Sequence, residues 1–132
     1  MISDKTKDIF RALDGMLDEF SQLDRHTRLQ AVRAFLLAAR YPGEGSTELA
    51  KRMAVPQNTM SRYMLDLGDR KRNGEPGLGL VTTELDPAAD DLRTHPVRLT
   101  PKGRALAERL YTHIRKLGFN EYWAGSFPGQ ED

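Results

Sequence analysis

Three observations predict a mainly α fold of the α+β class. Apolar residues recur at spacings of three and four over much of the chain, the pattern of amphipathic helices. Two of the helical stretches are short and are joined by about three residues around Val55-Pro56, the sequence form of a helix-turn-helix. Two β-leaning runs then flank an acidic, proline-containing connection ahead of one last helical stretch, and read as an antiparallel hairpin with a long tip. Helix, helix, helix-turn-helix, two-stranded wing, helix is the order of a winged helix-turn-helix with N- and C-terminal dimerisation helices. At 132 residues there is room for one compact domain. It is expected over 1–132, with 1–26 and 101–132 as dimerisation helices and tail, and 27–100 as helix-turn-helix and wing.

Each element has its own justification. The first helix sets Ile9, Phe10, Leu13, Met16, Leu17 and Phe20 on one stripe, behind Ser3 or Asp4 as N-cap. A second begins near Thr27, where Thr27 and Gln30 have the spacing of a capping box, and ends at Pro42-Gly43. Ser46 is the expected cap of a short helix over Thr47 to Met53, and another runs from about Gln57 to Leu67 before Gly68. Residues 69 to 79 read as a mobile loop. The hairpin is expected from Leu78 to Leu85 and Val97 to Leu99. Thr100 then caps a helix with Pro101 in its first turn and Leu106, Leu110, Ile114 and Leu117 on one face, stopped by Gly118.

Composition narrows the function. With no cysteine, disulfide scaffolds, thiolate metal sites and thiol-based sensing are excluded. No apolar run approaches the roughly 20 residues of a membrane span, and the opening residues carry no signal-peptide pattern, so a cytoplasmic protein without a membrane partner is expected. His26, His95 and His113 lack metal-ligand spacing, and no nucleophile elbow or phosphate-loop motif is present. No catalytic residue, metal or cofactor is expected. The 20 Lys and Arg against 19 Asp and Glu leave a net charge of +1, but this balance hides two blocks. Lys51, Arg52, Arg62, Arg70, Lys71 and Arg72 outweigh Asp66 and Asp69, while Glu84, Asp86, Asp90 and Asp91 make the hairpin tip acidic. The first block suits phosphates and the second repels them.

The segment from Gln57 has the make-up of a recognition helix. Met60, Met64 and Leu67 share an inward stripe, and Gln57, Asn58, Ser61 and Arg62 fall largely opposite. Gln and Asn can pair with an adenine edge and Arg with a guanine edge, each worth about 1–3 kcal/mol of discrimination. Thr59 and Ser61 suit phosphates; a merely solvated polar turn is the plainer alternative. Arg70, Lys71, Arg72 and Arg98 are candidate backbone contacts, with an ordinary exposed surface as the alternative for each. Phe10, Phe20, Tyr111, Phe119, Tyr122, Trp123 and Phe127 are more aromatic surface than so small an interior hides. A two-fold interface using Phe10, Leu13, Leu17, Phe20, Leu110, Ile114 and Trp123 would bury it, a fold-back of the tail being the other solution.

Taken in order, Glu48-Leu49-Ala50-Lys51-Arg52-Met53, Thr59-Met60-Ser61-Arg62, Asp91-x-Arg93 and Leu99-Thr100-Pro101-Lys102-Gly103 resemble the MarR family of bacterial transcription regulators, over roughly residues 27 to 117. The resemblance implies that Asp91 braces the wing by orienting Arg93, and that Arg93 is the wing's principal DNA contact. It also implies a small-molecule effector as a further partner. The chain departs from the family in its longer loop at 68–79 and its acidic wing. The resulting expectation is a sequence-specific, double-stranded-DNA-binding transcriptional regulator, a homodimeric repressor. The alternative is a winged-helix protein–protein interaction module in a nucleoprotein or phage-type assembly.

Overall fold

The computed structural model describes residues 2–69, 71, 73–83 and 96–118. In chain order its elements are α1 (Asp4–Leu23), α2 (Leu29–Arg40), α3 (Ser46–Met53), α4 (Gln57–Leu67), β1 (Val81–Thr83), β2 (Val97–Leu99) and α5 (Pro101–Arg115). This is the mainly α winged helix-turn-helix order that the sequence predicts. The described residues fall into two compact units, one within Met1–Thr27 and Ala105–Asp132 and the other within Arg28–Arg104. No described helix is long and apolar enough to cross a membrane.

In the first unit, Ser3 caps α1 as expected, its hydroxyl accepting from the Thr6 amide at 3.2 Å. Only part of the α1 stripe is covered. Phe20 is 3% exposed, whereas Ile9, Phe10, Leu13 and Leu17 are 41–53% exposed. On α5, Leu106, Ala107 and Leu110 are buried. The two helices are tied at Glu19, whose carboxylate accepts from Arg109 Nε at 3.1 Å and from His113 Nε2 at 3.0 Å. The His113 hydrogen bond, helped by Arg109 and opposed by partial burial, holds the Glu19 carboxyl below its ordinary value of 4.5.

In the second unit, α2 packs on α3, α4 and β2, around Phe35, Leu49, Met60, Leu67, Leu80 and Val97, all less than 2% exposed or at that limit. Two expected caps are replaced. The Thr27–Gln30 box does not form, because the amide and hydroxyl of Thr27 both donate to the Asp24 carbonyl, at 3.1 and 2.7 Å. Gln30 Oε1 accepts instead from Arg33, and α2 starts at Leu29 with Arg28 as an N-cap that makes no side-chain bond. Likewise α3 starts at Ser46 itself behind Gly45, since the Ser46 hydroxyl faces another partner described below.

The stretch expected as a mobile loop is stitched to the end of α4. The amides of Gly77, Leu78, Gly79 and Leu80 donate to the carbonyls of Asp69, Asp66, Gly68 and Leu67 at 2.7–3.0 Å, and the turn closes through Lys71 N to Glu75 O at 2.7 Å. These bonds occupy Leu78–Leu80, so strand pairing begins only at Val81. The wing strands are antiparallel, with Val81 opposite Leu99, Thr82 opposite Arg98 and Thr83 opposite Val97. At the base of the wing the Thr100 hydroxyl donates to Gly79 O at 2.6 Å and accepts the Gly103 amide at 3.0 Å, capping α5. Gly103 is required there: a Cβ would collide with the Leu80 carbonyl oxygen. That collision gives the Thr-Pro-Lys-Gly motif its physical meaning.

Because the Glu19 pKa is lowered on folding, its contribution is present above its unfolded value and is lost as pH falls through the native one. The stability gap between wild type and Glu19→Gln, measured by urea unfolding, is expected to shrink as pH is lowered from about 6 to about 3. A gap that stays constant over this range would refute the assignment.

Candidate nucleic-acid interface

The helix-turn-helix is built from α3, a three-residue turn and α4. Ala54 adopts the left-handed conformation (φ 58°) as the Val55 amide returns to Ala50 O at 3.0 Å, the closure of a Schellman-type helix end. Pro56 then starts α4, its carbonyl accepting from Thr59 and Met60 at 3.1 Å. Met60, Met64 and Leu67 are buried, so the inward face is the one that periodicity predicts. Asn58 and Arg62 are exposed, and Gln57, Thr59 and Ser61 are half-buried.

Gln57 has an occupation that its position alone did not reveal. Its Nε2 donates to Ser46 Oγ at 2.8 Å and to Ser61 Oγ at 3.0 Å, tying the first turn of α3 to α4. Its Oε1 is buried with no hydrogen-bond partner. The amide expected to meet an adenine edge is thus engaged inside the helix-turn-helix. Ser61, having accepted from Gln57, retains its O–H as a donor, and Asn58 and Arg62 remain the exposed groups suited to base edges.

The wing is held by the segment between α2 and α3. Gly43 N–H donates to Val97 O at 3.2 Å, and Val97 N–H donates to Glu44 O at 3.0 Å, so this segment pairs with β2 on the edge away from β1. Gly43 has φ +90°, and a Cβ on it would lie 3.2 Å from Arg98 Nη2; the Arg98 guanidinium rests on bare backbone. One residue further on, the Glu44 carboxylate takes a forked pair of bonds from Arg52 on α3, Nε to Oε1 and Nη2 to Oε2, each at 2.7 Å. The same guanidinium lies 3.5 Å from the centroid of the Tyr41 ring, with that of Arg40 at 5.2 Å. The Arg52 hydrogen bonds hold the Glu44 carboxyl below its ordinary value.

Solved structures of similar architecture include MarR-family transcriptional regulators. The chain is similar to a MarR-family transcriptional regulator from Silicibacter pomeroyi, with 27% identity, 94% of this chain and 75% of that one covered, and a TM-score of 0.52. It is similar to MarR of Staphylococcus aureus in complex with salicylate and kanamycin, at 18% identity, 92% and 79% coverage and a TM-score of 0.55. It is also similar to the transcriptional repressor CouR bound to a 23-mer DNA duplex, at 22% identity, 89% and 76% coverage and a TM-score of 0.53. The chain is a MarR-like winged-helix protein. No protein-family profile matches the sequence, and no curated protein does.

In this MarR-like frame the candidate DNA contacts separate. Asn58, Thr59, Ser61 and Arg62 lie together on α4 with Gln57 behind them. Arg98 stands on β2, opposite Thr82, and Lys71 lies in the stitched turn after α4. Arg70, Arg72, Asp91, Arg93 and Trp123 lie outside the described residues. The basic block inferred from sequence is weaker than it looked, because the charge of Arg52 is met by Glu44. Glu44, Tyr41 and Ser46 were not among the sequence-derived site residues. Glu44 and Arg52 are eight positions apart, and Ser46 and Gln57 eleven, in separate elements, so no local spacing rule pairs them.

The Ser46–Gln57 bond is expected to couple the two helices. In a double-mutant cycle of Ser46→Ala and Gln57→Ala followed by chemical denaturation, each single variant should lose about 1 kcal/mol. The double variant should lose less than their sum, by about 0.5 kcal/mol or more. Strict additivity would show that the bond carries no stability.

Proposed function

We propose that this chain is a sequence-specific double-stranded-DNA-binding transcriptional regulator that acts as a homodimeric repressor. The observation that carries the reading is the two-faced α4. Its Met60, Met64 and Leu67 are buried, its Asn58 and Arg62 are exposed, and it follows a short helix and a tight turn beside a two-stranded wing. Support comes from the likeness to MarR-family regulators, one of them a repressor held on DNA.

In this reading α4 enters the major groove, Asn58 and Arg62 meet base edges, and Thr59 and Ser61 bond phosphates. Arg70, Lys71, Arg72 and Arg98 add backbone contacts, and Arg93, oriented by Asp91, serves the wing. Dimerisation joins the exposed Phe10, Leu13 and Leu17 of α1 with Ile114 and Trp123, whereas Phe20 and Leu110, expected at the same interface, are buried within their own protomer and support it from beneath. A two-fold pair of α4 helices then reads two half-sites, which doubles the modest base contact of one protomer. A small-molecule effector fits the same scheme, supported by the salicylate bound to the Staphylococcus aureus protein. A cleft of about 580 Å³ in the first unit, lined by Lys5, Arg11 and Lys116 but also by Asp8 and Asp14, has the size of a small-molecule site with lining charge of both signs.

Selection of bound fragments from random duplex DNA tests the reading and yields the half-site spacing. On the selected site, Arg62→Ala is expected to cost about 1–3 kcal/mol and to relax preference at one base pair. Arg93→Ala should weaken binding to all duplexes alike and lower the slope of log affinity against log salt by about 0.9. Equal affinity of both variants and wild type would overturn these roles. Leu13→Glu is expected to yield monomers in sedimentation and to lose preference for paired half-sites; a dimer that persists would move the interface elsewhere.

A further inference from the structure

The wing hairpin is small, with three residues in each strand, and its outer neighbour is the Tyr41–Gly45 segment, which brackets Val97 with two backbone hydrogen bonds. That segment also supplies Gly43, on which the Arg98 guanidinium rests. The position of the segment therefore sets the position of β2 and of Arg98. A side-chain contact ties the segment to the helix-turn-helix. Arg52, on the last turn of α3, grips Glu44 through a forked pair of hydrogen bonds and covers the ring of Tyr41.

We propose that Arg52 is a positioning residue for DNA binding: with Glu44 and Tyr41 it clamps the wing to the helix-turn-helix, and it does not act by presenting charge to phosphate. The inference rests on the DNA-binding reading above. Its geometry requires arginine in particular. The planar guanidinium can make a forked contact with a carboxylate and stack on a ring at the same time, whereas a lysine ammonium is a point charge that does neither. The pair is partly exposed, with 41% of the Arg52 side chain and 24% of the Glu44 side chain accessible. Its worth to global stability is correspondingly small, and what it controls is where the segment sits. A wing that must contact the same duplex as α4 loses affinity when its outer edge is less tightly placed, because the ordering then falls on the binding step.

The two roles of Arg52 make opposite predictions for Glu44→Gln, which removes a negative charge beside the interface and releases the arginine. If Arg52 were a phosphate contact restrained by Glu44, this variant would bind DNA more tightly. As a clamp component its loss should weaken binding to the selected duplex by about threefold to tenfold despite the gain in positive charge. Arg52→Lys, which keeps the charge, should weaken binding by a similar factor. In both variants, amide hydrogen exchange of the DNA-free protein should accelerate at Gly43 and Val97 while Met60 and Met64 in α4 stay protected, which shows that the fold is intact. Unchanged or tighter binding by Glu44→Gln overturns the proposal, as does unchanged exchange at Gly43 and Val97. If wild type binds no duplex at all, the DNA-binding reading fails on its own, and unchanged exchange at those two amides then rejects the clamp independently.

Discussion

A hairpin with strands of three residues buries too little to hold its own shape in water, and the second unit of this protein is organised around supplying what the hairpin lacks. Support reaches it from three directions. Backbone bonds to Gly43 and Glu44 hold the outer edge of β2. The Thr100 hydroxyl, bonded to Gly79 O, joins the base of the hairpin to the start of α5. Val81 and Val97 face the core and are at most 4% exposed. The stitched turn after α4 belongs to the same scheme, since its backbone bonds to the end of α4 lead directly into the buried Leu80. A wing held in this way is fixed against α4.

The helix-turn-helix shows a similar economy of side chains. Gln57, read from the sequence as a DNA-facing residue, bonds across the two helices to Ser46, read as a helix cap. Arg52 is taken up by Glu44 and Tyr41. Fewer cations are thus left to meet phosphates than the local composition suggests, and the acidic residues over 84–91 subtract further. In the proposed DNA-binding reading, with little non-specific attraction to draw on, recognition leans on the base-facing groups of α4 and on doubling them through two-fold symmetry.

In the first unit, polar and apolar forces divide the work. Glu19 receives both Arg109 and His113, which ties α1 and α5 at one level. Ile9, Phe10, Leu13 and Leu17 remain at the surface, an exposure that a stripe of large apolar residues on one helix rarely shows unless it meets a partner.

Much of this architecture was legible in the order of the residues. Helical periodicity located all five helices, because a buried face must recur every three to four residues whatever it packs against. Ser3, one of two residues offered as the cap of α1, and Thr100 do cap their helices, since a cap bond spans only three residues and the further bonds to Thr6 and Gly79 leave each hydroxyl able to accept the amide. Thr27 and Ser46 looked equally suitable, but Thr27 is claimed by Asp24 O three residues back in a local turn, and Ser46 by Gln57, eleven positions on, which only the folded chain brings into reach. The same reason separates what the sequence by itself determined from what the tertiary structure decided. Element order, the inward face of α4 and the winged-helix class follow from local periodicity and spacing. Whether Gln57 or Arg52 faces a ligand or a neighbouring helix is a competition among hydrogen-bond partners in different elements, and folding alone sets the distances that settle it.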